Sequence, residues 1–178
     1  MFRAYTRLTL LAAAIILGLV YQFQGNLTFA MYLYLAAVLL LTSHILFGNI
    51  WQAFTALRSG RVTLADRILG LVIRPSWLLP RPRAYYHFVR GMLALRAEQL
   101  EEGDRALQMA LDGPLRSDRD RALALLNRAH IAYLQENWKT CRTLKEEAEQ
   151  LKARDLLIQE HLKKLNQALN QKGDARLN

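Results

Sequence analysis

Sliding the chain against itself by 38 residues brings like residues into register, and no other feature constrains the fold as tightly. Ala53, Gly91 and Ala129 coincide, as do Ala56, Ala94 and Ala132. Leu57, Leu95 and Tyr133 follow, then Val62, Leu100 and Trp138. Ala65, Gly103 and Cys141 make a second small-residue column, and Val72, Ala110 and Ala148 a third. Leu69 matches Leu107, where the third member is Lys145 with Leu144 one place earlier. Apolar residues recur at three and four, strand-like alternation is absent, and breakers fall at Ser59-Gly60, Pro75, Pro80, Pro82 and Gly113-Pro114. The reading is all-α: helical hairpins whose helices approach at small residues and whose apolar faces need a stacked neighbour.

These columns resemble the tetratricopeptide repeat. The middle unit carries Gly91, Leu100, Gly103, Leu107 and Ala110, followed by Pro114. The third carries Ala129, Trp138, Cys141, Lys145 and Ala148, and the first Ala53, Val62, Ala65, Leu69 and Val72, with Gly60 at its turn. The 38-residue period exceeds the usual 34 of that family, which implies longer connections such as WLLPRPR and GPLRSDRD. A large residue usual near the start of each unit is replaced by Asn49, His87 and Leu125. Three such repeats are expected over 49–152. The amphipathic stretch 153–171, with Leu157, Leu162, Leu165 and Leu169, is expected to cap the stack, and 172–178 to be a tail.

Ahead of the repeats lie two apolar runs, about 5–23 and 27–48, separated by Gln24, Gly25 and Asn26. Their length and composition predict a transmembrane helical hairpin. A cleaved signal peptide is the competing reading of the first run, but YQFQGN offers no small-residue cleavage site. The first 50 residues carry Arg3 and Arg7 as their only charges, whereas arginines crowd the segment after the second run. The positive-inside rule then puts both termini in the cytoplasm, and the expectation is an integral protein of a bacterial-type inner membrane. Of the net +9, +8 falls in the first 90 residues, so topology and anionic lipid account for the basic charge. Arg58, Arg61 and Arg67 are the expected headgroup contacts. No nucleic acid is expected, because the distal half supplies no basic face. Ala14 and Gly18 form a small-xxx-small pair that suits either self-association or packing of the two runs on each other.

Little in the sequence points to chemistry. His44, His87, His130 and His161 stand at no ligand spacing, no carboxylate pair or phosphate loop occurs, and Cys141 is the single cysteine. No catalytic residue, cofactor or metal is expected. His44 reads as an interfacial imidazole and Cys141 as a packing residue. Binding is the better expectation. The tetratricopeptide resemblance implies a concave face built from first helices, which places Tyr85, Phe88, Met92 and Arg96 there from the middle unit, and Leu126, His130, Tyr133 and Leu134 from the third. An aromatic and apolar strip with polar handles suits a peptide or helix, although packing against the cap explains the same residues. The family's clamp for acidic C-termini is not expected, since its places hold Trp51, Phe54, Val89, Met92, Asn127 and His130. Ala53, Ala65, Gly91, Gly103, Ala129, Trp138 and Cys141 are the expected packing residues. The function predicted is a membrane-anchored, non-catalytic scaffold that holds a protein partner at the cytoplasmic surface. The alternative is a structural subunit of a larger membrane complex acting through its hairpin.

Overall fold

The 38-residue step in the sequence is also a step in the backbone. The computed structural model describes the backbone at residues 2–47, 49–151 and 155–174, and side chains at 9–42, 49–151 and 155–169. Helices α1 (Phe2–Phe23) and α2 (Leu27–Phe47) form an N-terminal hairpin. Three further hairpins follow: α3 (Ile50–Arg58) with α4 (Val62–Gly70), α5 (Pro80–Arg96) with α6 (Leu100–Leu111), and α7 (Asp118–Leu134) with α8 (Trp138–Gln150). A short 3₁₀ turn, Pro75–Trp77, precedes α5, and α9 (Leu156–Asp174) ends the chain. No strand occurs among the described residues. The second helices thus begin at Val62, Leu100 and Trp138, each 38 residues after the last. The α3–α4 hairpin packs on α5, the α5–α6 hairpin packs on α7, and α9 packs on α7 and α8.

The turns repeat as faithfully as the helices. Gly60, Glu98 and Glu136 all take left-handed backbone, with φ of 77°, 59° and 58°. In every unit the next N–H reaches back to a first-helix carbonyl: Arg61 to Ala56 at 2.9 Å, Gln99 to Ala94 at 2.9 Å, and Asn137 to Ala132 at 2.8 Å. This is the Schellman pattern, which satisfies carbonyls that a helix end would otherwise leave open. Glycine serves that conformation without steric cost in the first unit, whereas two glutamates accept it in the others.

The small-residue columns lie where the helices touch. Ala53, Ala65, Ala129 and Cys141 are fully buried, as are Ala110 and Ala148. Helices α5 and α6 approach closely: a Cβ on Gly91 would lie 2.6 Å from Leu107 Cγ and 3.1 Å from the Gly103 carbonyl oxygen. Ile50, Leu69, Val89, Leu107, Ile131 and Leu144 fill the spaces beside these contacts in one continuous core. In the cap, Ile158, Leu165 and Leu169 face that core and Leu162 packs against its margin. Leu157, expected on the seam, faces outward because Ile158 takes the buried position next to it.

The N-terminal hairpin requires a correction. Among the described residues, no helix is long and apolar enough to cross a membrane. The transmembrane hairpin over 5–23 and 27–48, and with it the integral inner-membrane location, is therefore not upheld. What the two runs do form is a tight antiparallel pair. Gly18 is buried beneath Tyr34, whose Cε1 would lie 2.7 Å from a Cβ there, so the small-residue pair serves packing within the hairpin. Tyr34 donates to Gln22 Oε1 at 2.7 Å, and Tyr21 stacks on Phe29 at 5.8 Å.

Candidate partner-binding surface

The expected concave strip divides in two. Tyr85 and Phe88 are buried, and only 1% of Tyr85 is exposed. Helix α3 lies against α5 and supplies Trp51 and Phe54, which surround these rings. Trp51 and Phe54 stand 4.7 and 5.0 Å from Tyr85, and Phe54 stands 5.7 Å from Phe88. The two aromatics thus join the first unit to the second and offer nothing to a partner. Met92 is half-buried against the core. Arg96 is exposed and lines a different recess, between α4 and the α5–α6 hairpin, of about 680 Å³. Its walls include Asp66, Tyr86, Arg90 and Glu102, where Arg90 and Glu102 are already paired at 2.6 Å.

Tyr85 has a second role that sequence reading missed. Its hydroxyl donates to Asp120 Oδ2 at 2.5 Å and accepts from the Arg116 N–H at 3.1 Å. Asp120 lies in the first turn of α7, three residues after Ser117, whose Oγ accepts from the Asp120 N–H at 3.2 Å. A carboxylate there is favoured by the helix dipole. Burial, and then donation to Asp120, pushes the Tyr85 phenol up to about 12. The link fastens α5 to α7 across 35 residues. Arg128 adds a second tie between the same units, pairing with Asp104 at 2.7 Å and also meeting Gln108.

The third-unit residues stay together. Leu126, His130 and Tyr133 line one groove with Asn127, opposite His161, Lys164, Leu165 and Ala168 of α9. Leu126 forms part of the buried floor, His130 is partly exposed, and Leu134 beyond the groove is 47% exposed. Tyr133 meets Trp138 edge-on at 5.4 Å. Burial first, and His161 second, lower the His130 pKa below the ordinary histidine value. The cap is held over this surface by Arg119 on Asp155 at 2.7 Å and by Lys145 Nζ donating to Asn166 at 2.6 Å.

The remaining expected residues are scattered. Arg58, Arg61 and Arg67 are exposed; Arg58 lies over the Phe54 ring at 5.8 Å and Arg61 donates to Ser59 Oγ at 3.1 Å. Their assignment to headgroups rested on the spanning hairpin and loses that premise. The His44 side chain lies outside the described residues. Cys141 is fully buried, and burial raises its thiol pKa. Among the described residues no group of three or more His, Cys, Asp or Glu is placed to hold a metal. Against protein-family models, curated proteins and solved structures, nothing matches this chain.

Proposed function

We propose that the chain is a non-catalytic scaffold of tetratricopeptide-like helical hairpins that binds a protein partner along α7. The observation that carries this reading is the combination of a rigidly joined stack with an α7 surface left partly uncovered. His130 and Tyr133 line the groove on that surface and Leu134 lies beyond it, and an apolar strip with polar handles suits a helix or an extended segment. Photocrosslinking from position 134 tests it, with position 147 on α8 as control. The scaffold reading expects one discrete species from position 134, absent from 147 and lost with Tyr133→Ala. Equal yields at both positions, or none, sink it.

A second reading is favoured by the N-terminal hairpin. Ile15, Ile16, Leu17, Leu19, Val20 and Phe23 of α1 are exposed, as are Phe29, Met31, Tyr32, Leu35, Val38 and Leu39 of α2. Contiguous apolar surface of that extent marks an interaction site, so the chain would be a subunit packed into a larger assembly through this hairpin. Ile16→Glu with Leu35→Glu separates the two readings. Loss of the position-134 crosslink in that variant favours the subunit, and its retention favours the scaffold.

A further inference from the structure

The groove between α7 and α9 has a chemistry that partner binding does not require. It encloses about 360 Å³, within the range of small-molecule sites. Its floor is apolar, from Leu126, Leu165 and Ala168, and its rim carries His130, His161, Lys164 and Asn127. Among the described residues, the lining holds two imidazoles, an ammonium, a phenol and an amide, and no carboxylate. Lys164 makes no ion pair among the described residues, and the nearby Lys145 is engaged outside the groove by Asn166 and Glu149. A rim of donors and cations without a counter-charge, above an apolar floor, is complementary to one type of ligand.

We infer that this groove binds a small amphiphilic monocarboxylate, its acid head among His130, His161 and Lys164 and its apolar body against Leu126, Leu165 and Ala168. The site shares His130 and Tyr133 with the scaffold surface, but the inference needs no protein partner, because the ligand is a small molecule and both walls of the site belong to this chain. Size and charge select the class together. The volume takes a body of medium-chain length, and the lone cationic rim rejects an ammonium head. Seen from His130, the facing charged or titratable groups are His161 and Lys164 of α9, with Tyr133 on its own helix. A bound carboxylate would offset the crowding of like charge there. It should therefore raise the proton affinity of His130.

The test is an NMR pH titration of the His130 imidazole in the full-length protein, with octanoate, octanol or octylamine added. Octanoate is expected to raise the His130 pKa by about one unit, a tenfold gain in proton affinity. Octanol and octylamine are expected to leave it in place, which separates the groove from the apolar surface of the α1–α2 hairpin. In Lys164→Leu, octanoate affinity should fall about tenfold, as for one charge-assisted contact. No shift with octanoate, or an equal shift with octanol, overturns the inference. An N-acetylated dipeptide ending in leucine that shifts His130 where octanoate does not overturns the free acid in favour of a peptide terminus.

Discussion

Tyr85→Phe tests the packing logic of the stack at a single oxygen atom. The ring stays, so its contacts with Trp51, Phe54 and Phe88 persist, and what goes is the 2.5 Å bond to Asp120 and the acceptor for the Arg116 N–H. Asp120 is only 9% exposed, so water replaces the lost donor poorly. A hydrogen bond to a charged group contributes about 1.5–3 kcal/mol, and the retained helix-dipole contact of Asp120 keeps the cost near ~2 kcal/mol. For a chain of this size that lowers Tm by about 4–8 °C. The assay is urea and thermal unfolding of the wild type, Tyr85→Phe, Asp120→Ala and the double variant. A coupling of about 1.5 kcal/mol or more is expected; single effects that add to within about 0.5 kcal/mol would refute the link as a stabilising contact. The same bond predicts an alkaline signature. The folded phenol is held up to about 12, whereas its unfolded counterpart ionises near 10. The stabilisation is therefore complete below about pH 10 and is lost as pH rises through 12, by roughly 3 kcal/mol in all. Tyr85→Phe should lack that component.

Gly91→Ala sets a methyl against Leu107 Cγ and the Gly103 carbonyl, and overpacking of this kind costs about 1–3 kcal/mol; an unchanged urea midpoint would contradict the contact. Glu98→Gly and Glu136→Gly place glycine where φ is 59° and 58°, and each should stabilise by up to about 1 kcal/mol in the same measurement. His87 is pushed below the ordinary histidine value by burial and then by Arg83 and Arg90. Its contribution is full above about pH 6.5 and declines as pH falls below that, so His87→Gln should flatten the acid limb of the stability profile. Cys141 should react with a thiol reagent at the rate of unfolding, not at the rate of an exposed thiol; fast stoichiometric labelling of the native protein would place it elsewhere.

The repeat was legible because its cause is local. Close helix approach needs small residues, so Ala53, Gly91 and Ala129 fall in one column and Ala65, Gly103 and Cys141 in another, and the second helices start where Val62, Leu100 and Trp138 stand. The shared left-handed turn was also within reach, since Glu98 and Glu136 occupy the register of Gly60. What failed was the side on which α5 faces. Periodicity gives Tyr85 and Phe88 a common stripe, but only the docking of α3, with Trp51 and Phe54, decides that the stripe is interior. Composition likewise cannot reveal that Tyr85 finds Asp120, since a phenol and a carboxylate 35 residues apart leave no periodic trace. The groove half emerged: Leu126, His130 and Tyr133 were found, and their opposite wall on α9 was not.

The two junctions in the stack are built from unlike materials, with a mechanical consequence. The second and third units are riveted by directional bonds, Tyr85 to Asp120 and Arg128 to Asp104, which resist rotation because a small tilt breaks them. The first and second meet through the rings of Trp51, Phe54, Tyr85 and Phe88, whose contacts tolerate a small displacement more readily than a hydrogen bond does. Bending of the stack therefore concentrates at the α3–α5 seam, beside the recess that contains Arg96. Beyond that seam the α5–α8 block is expected to act as a single stiff lever, held by the Tyr85 hydroxyl together with the Arg128–Asp104 pair.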